Sequence, residues 1–277
     1  MVKVIDLDQL FNKYIEDFVY SNIGKLKPED IENKIPEFYV KFGDEKLKEL
    51  DGATPNEYYK QFSATELIEC LKAHLEQGVS VSDFLCEGIV DCKEGIDALA
   101  DALKQTEDEE FILYAMNMLG VEGGKQCADR YLEFIDWDYS QSVRELATEM
   151  LAEFASLVKE KVIAKYYESP EDKKVYYTEI LSNTCGDDRV FEILTTELIA
   201  HQDNIPLYAG YVSKFGDDRA IPLLTEIIER EDITYADFEE LRFAIEALGG
   251  SYDKKRNFTA DKTYKKIKGE KIKNLKV

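Results

Sequence analysis

The chain has 277 residues, 44% of them hydrophobic, enough for a sizeable core and too many for a globally disordered protein. Its formal net charge of −22, from 57 acidic and 35 basic residues, disfavours general binding to phosphate backbones and favours a cationic partner. No run reaches the roughly 18 apolar residues of a membrane span, and Met1-Val2-Lys3-Val4-Ile5-Asp6 turns acidic too early for a secretory signal, so a cytoplasmic protein with no membrane span is expected.

In chain order, Leu7, Leu10, Phe11, Tyr14, Ile15 and Phe18 mark a first amphipathic helix. Lys27-Pro28-Glu29-Asp30 opens a second, since proline is accepted in a first helical turn. Asp51-Gly52-Ala53-Thr54-Pro55 reads as a turn cluster. Ser63-Ala64-Thr65-Glu66 has the form of a capping box ahead of Leu67, Ile68, Leu71 and Leu75, and Val79 to Ile89 reads as the helix that pairs with it. Residues 1–92 therefore form an N-terminal helical region, expected to cover the open face of the repeats that follow.

Residues 93–250 carry internal repetition. Gly186-Asp187-Asp188-Arg189 recurs thirty residues on as Gly216-Asp217-Asp218-Arg219. Val190-Phe191 then matches Ala220-Ile221, Ile193-Leu194 matches Leu223-Leu224, and Leu198 matches Ile228, at helical spacing. The preceding helices share an ending. Tyr208, Tyr211, Val212 and Phe215 stop at Gly216; Leu241, Ala244, Ile245 and Leu248 stop at Gly249; Ile112, Ala115, Met116 and Leu119 stop at Gly120. Glycine suits a helix C-terminus because it adopts the left-handed conformation there, and the aspartates after it can cap the next helix and sit at its positive end. Two further units are looser: Ala147, Met150, Leu151 and Phe154 lead to Ala155 in place of a glycine, and Tyr176, Tyr177, Ile180 and Leu181 lead to Gly186.

This pattern resembles the HEAT family, and within it the short HEAT-like repeats of the type also found in phycobilisome lyases. Gly216-Asp217-Asp218-Arg219-Ala220-Ile221-Pro222-Leu223-Leu224 carries the resemblance, and Glu246-Ala247-Leu248-Gly249 carries it again at a unit end. Pro222 stands where the family has its usual proline, and Glu192 replaces it in the preceding unit. The resemblance implies an all-α fold, an α-solenoid of stacked helix pairs with a right-handed superhelix, and a binding style rather than an activity. It also implies that Asp188, Arg189, Asp218 and Arg219 serve the turns.

After Gly250 the composition changes. Residues 251–277 hold ten Lys or Arg and three acids, a net of +7, so the first 250 carry −29. Phe258, Tyr264, Ile267, Ile272 and Leu275 interrupt this basic tail and favour its docking on the acidic body, and Gly269 argues against one long helix.

Several positions carry site-like chemistry. Cys70 and His74 lie four apart on one helix face, as metal ligands can, but no second pair follows at suitable spacing, and core packing is expected. The other cysteines, Cys86, Cys92, Cys127 and Cys185, are scattered and lack a Cys-x-x-Cys pair, as befits free thiols. Asp136-Trp137-Asp138 places the single tryptophan between two acids at an expected inter-helix turn. It is the candidate binding patch, and the position an enzyme on such a scaffold, DNA glycosylase-like or lyase-like, would use. The glycosylase reading requires a basic channel, which the body lacks. Arg189 and Arg219 could form an anion-binding ladder, but pairing with an aspartate of the adjacent unit is the simpler role. In the tyrosine pairs Tyr58-Tyr59, Tyr166-Tyr167 and Tyr176-Tyr177, one ring is expected in the core and the other at the rim. No phosphate loop, nucleophile elbow or His-Glu-x-x-His string is present, and no cofactor is expected. The expected function is a non-enzymatic scaffold that holds a protein or peptide partner with a basic segment.

Overall fold

The computed structural model describes residues 2–25 and 27–266. The regular structure of these residues is helical, with no strand. Helices that follow one another in the chain pack on one another. The chain divides into two compact units, Met1–Tyr131 with Tyr139–Leu146, and Leu132–Asp138 with Ala147–Val277.

In the first unit, α1 (Leu7–Asn22) packs on α3 (Ile35–Gly43) through a ring cluster. Phe11 meets Tyr39 edge-on at 5.0 Å, and Phe18 meets Phe38 at 4.5 Å between ring centres. Between them lies α2 (Pro28–Glu32), with Pro28 in its first turn. The turn before α4 (Pro55–Tyr58) uses Asp51 and Gly52 at φ 56° and 86°. Ser63 and Glu66 form a complete capping box at the start of α5 (Ala64–Glu76). The expected partner helix begins later than its apolar residues suggest, as α6 (Asp83–Asp91). Gly78 at φ 62° and the bond from the Val79 N–H to the His74 carbonyl (2.9 Å) close α5, so the β-branched Val79 and Val81 are spent in the connection.

α7 (Gly95–Leu103) packs on α8 (Glu109–Gly124), whose helical conformation is broken at Gly120, where its apolar pattern predicts a stop. Gly120 adopts φ 55°, ψ −162°, outside helical geometry, and a second helical segment follows at once. Val121-Glu122 follows here instead of Asp-Asp, so the helical segment after the break starts without the aspartate cap of the later turns. Arg130 is buried beside the Thr106 carbonyl (2.7 Å) and Glu107 (2.8 Å), a polar group the periodicity does not reveal.

After α9 (Ala128–Asp136) and α10 (Gln141–Glu153), the second unit contains α11 (Ala155–Glu168), α12 (Glu171–Ser182), α13 (Asp188–Ala200), α14 (Ile205–Phe215), α15 (Ile221–Ile228) and α16 (Tyr235–Ala247). α11 packs on α12, α13 on α14, and α15 on α16; α12, α14 and α16 also pack in a row, each on the next. The thirty-residue correspondence is visible in burial: Val190 and Ala220, Leu194 and Leu224, and Leu198 and Ile228 are all core residues. The two first helices start differently. Asp188 opens α13 directly, whereas Asp218–Ala220 is a 3₁₀ turn ahead of α15. Pro222, at the start of α15, has no N–H to give an α-helical bond. Where the sequence has Ala155 for glycine, the chain turns at Phe154 (φ −127°, ψ 35°), avoiding the left-handed region that a side chain disfavours.

The basic segment 251–266 lies on α15 and α16. Phe258 is buried with its ring 5.1 Å from Phe238, and the Arg256 guanidinium donates to the carbonyls of Ile228 (2.9 Å) and Arg230 beyond the end of α15. Ile267, Gly269, Ile272 and Leu275 lie outside the described residues.

Candidate functional site

The glycine-containing turns set the starts of the helices that follow them. Gly186, Gly216 and Gly249 have φ of 66°, 81° and 85°. This is the left-handed region in which a Cβ would crowd the backbone. In both Gly-Asp-Asp-Arg motifs the first aspartate does the capping: Asp187 accepts from the Arg189 N–H (3.1 Å) and Asp217 from the Arg219 N–H (3.0 Å). The arginine side chains fold back on the same aspartates. Arg189 also forks onto Glu160 (2.9 and 2.7 Å), and Arg219 reaches Asp188 of the preceding motif (2.8 Å). The inter-unit partner of Arg189 is thus a glutamate from α11, because no Gly-Asp-Asp motif lies thirty residues earlier. Arg219 further lies over the Phe191 ring, 4.6 Å from its centre. Each guanidinium serves two carboxylates, which is the chemistry of a staple rather than of an anion ladder. Arg189 and then Lys159 hold the Asp187 carboxyl well below the usual range, and Arg219 does the same to Asp217. Asp218 begins the 3₁₀ turn.

Asp136, Trp137 and Asp138 end α9 (Ala128–Asp136) and the turn after it. Asp136 is committed: it pairs with Lys165 and accepts the Tyr177 hydroxyl, while Lys173 donates to its carbonyl. Burial and that bond push the Tyr177 phenol up. Trp137 is 52% exposed and Asp138 is exposed. The motif is thereby split into an anchored acid and a solvent-facing pair.

Cys70 and His74 lie in the core. His74 Nδ1 is 2.8 Å from the Cys70 carbonyl, and Nε2 sits 3.3 Å from the backbone of Ile5. Burial pushes the Cys70 thiol up to about 11. Tyr58 and Tyr59 are both buried, because the chain passes from the single turn of α4 into a 3₁₀ turn and helical faces do not separate the two rings. Tyr166 with Tyr167 and Tyr177 with Tyr176 do divide between the core and more accessible positions.

A group that the sequence reading did not single out is the most chemically loaded in the second unit. Glu197, on α13, is 2% exposed. Shifted by thirty residues it corresponds to Ile227, so a carboxylate occupies a position that the next unit fills with a core isoleucine. Its Oε1 accepts the Tyr166 hydroxyl, and its Oε2 is buried with no hydrogen-bond partner. His201, one turn on, brings Nε2 to 3.1 Å from that Oε2 and 3.4 Å from Oε1 of Glu171. The imidazole is stacked on Tyr208 with 4.7 Å between ring centres and 10° between planes. Lys174 holds the other oxygen of Glu171 at 2.7 Å and keeps that carboxyl below its usual range. Burial beside the acids pushes the Tyr166 phenol up, and that of Tyr208 up to about 12. The signal in the sequence was Glu197-x-x-x-His201, a helix-face pair of the same form as Cys70 and His74.

A cavity of about 440 Å³ opens between α16 and the docked basic segment, lined by Tyr235, Phe238, Tyr252, Arg256 and Phe258 among others. No family model, curated protein or solved structure matches the chain.

Proposed function

We propose that this chain is a HEAT-like repeat protein whose work is non-enzymatic: it holds a protein or peptide partner with a basic segment against its acidic surface. The charge distribution carries the reading. The first 250 residues hold 54 acids against 25 bases, an excess that attracts cations and repels phosphate. The chain's own basic segment supplies an internal instance of the chemistry. Lys254 pairs with Glu229, Arg256 serves carbonyls at the end of α15, and Phe258 seats between Phe238 and Tyr235. Acid, helix C-terminus and aromatic ring are the three features that receive a Lys- or Arg-rich strand. The row of α12, α14 and α16, with its glycine-terminated turns, supports the HEAT-like reading.

The enzyme alternative draws nothing from Asp136, which is bound up with Lys165 and Tyr177. The test is fluorescence anisotropy with two labelled 15-residue probes, one rich in Lys, Arg and Tyr and one with Glu at every Lys and Arg. Binding of the basic probe alone is expected. Equal binding of both, or of neither, contradicts the proposal.

A further inference from the structure

The geometry points to a divalent transition-metal site formed by Glu171, Glu197 and His201. The first ground is a debt in the core. A carboxylate oxygen buried without a donor is costly, and Glu197 Oε2 accepts no hydrogen bond. His201 Nε2, 3.1 Å away, is close enough for an ion pair but does not meet hydrogen-bond geometry. A cation held jointly by both atoms satisfies the oxygen without requiring the ring N–H to aim at it.

The second ground is spacing. The ligand atoms of the three residues all lie within 4.8 Å of one another, and His201 Nε2 stands 3.1 and 3.4 Å from the two carboxylate oxygens. With metal–ligand bonds of about 2.0–2.2 Å, neighbouring ligand atoms sit about 3.0 Å apart in an octahedron and about 3.4 Å apart in a tetrahedron. The two separations from the imidazole nitrogen fall in that interval.

The third ground is how the remaining atoms are fixed. Tyr166 occupies the other oxygen of Glu197 and Lys174 the other oxygen of Glu171, leaving one oxygen of each facing the imidazole. Stacking on Tyr208 sets the ring plane. These contacts orient ligands as the supporting hydrogen bonds of metal sites do. Two carboxylates against one ammonium leave one net negative charge before the metal enters. One imidazole nitrogen with two carboxylate oxygens suits Zn²⁺ and its first-row neighbours, and it offers too few oxygens to prefer Mg²⁺ or Ca²⁺. Glu171 is exposed and His201 half-buried, so solvent can complete the coordination sphere.

The inference does not depend on the partner proposed above. The experiment is isothermal titration of the full chain with ZnCl₂ and, separately, MgCl₂ after dialysis against chelator, with E197Q and H201N alongside. Gln at 197 keeps an acceptor for Tyr166, and circular dichroism of the metal-free variants checks their fold. One zinc per chain is expected, with affinity at least tenfold weaker in each variant and at least tenfold weaker for magnesium than for zinc. No zinc uptake by the wild type overturns the assignment. Uptake undiminished in both folded variants also overturns it and places the ion elsewhere, for instance at the exposed thiol of Cys185.

Discussion

Replacing Leu224 with Asp strikes the part of the second unit on which the repeat register rests. Leu224 has 0% exposure in α15, and Leu194 fills the equivalent place in α13. Removing a buried leucine side chain costs about 2–5 kcal/mol, and leaving a carboxyl without partners adds about 1–3 kcal/mol. The sum, several kcal/mol, is comparable with the whole stability of a typical domain, about 5–15 kcal/mol. With a urea dependence of about 3 kcal/mol per molar, the midpoint falls by at least about 1 M. Urea titration followed by circular dichroism at 222 nm reads the shift. L157D is the control, since Leu157 is 66% exposed in the first turn of α11 and an acid there suits the helix dipole. Its stability should stay within about 0.5 kcal/mol of wild type. A Leu224 variant that unfolds with the control would refute the alignment of α13 on α15.

Other changes probe the turns, the charges and the tail. G216A forces a side chain into φ 81° and should cost about 1–2 kcal/mol, while G216N should cost less, both read from thermal unfolding. Asp187 and Asp217 have folded-state values below the unfolded one of about 3.9. Between those values the unfolded state binds more protons, so the stability they supply is complete above about pH 5 and drains away as pH falls through the folded values. Urea midpoints should therefore be level from pH 7 to 5 and fall below about pH 4, with a shallower fall in D187N. F258A removes a buried ring wedged against Phe238 and should lower the thermal midpoint, and truncation after Gly250 should lower it further by exposing Phe238. An unchanged midpoint in the truncated chain would show that the described tail adds nothing to the fold.

The helices were legible wherever apolar spacing and a cap coincided. Ser63 with Glu66, Pro28, and the Gly-Asp-Asp turns at 186 and 216 give local geometry from a few residues, and the structure places helix ends there. Legibility fails where one of the two cues is missing. Val79 and Val81 are apolar for the connection rather than for α6. The candidate site was legible only in part. Asp136-Trp137-Asp138 drew notice as a string, but partners 29 and 41 residues away decide what Asp136 does. Glu197 and His201 form a helix-face pair that periodicity reads as one acid and one ring on a polar stripe. Their weight comes from Tyr166, Glu171 and Tyr208 on three other helices, and from the register that sets Glu197 against Ile227.

We propose that the acidic surface takes a cationic segment. The slope of affinity against salt tests it most directly, using the basic 15-residue probe and the full chain between 50 and 300 mM NaCl. If carboxylates carry the binding, Kd should rise at least about tenfold across that range as charges are screened. A Kd that stays level with salt would contradict the account and put an apolar surface in place of the charge.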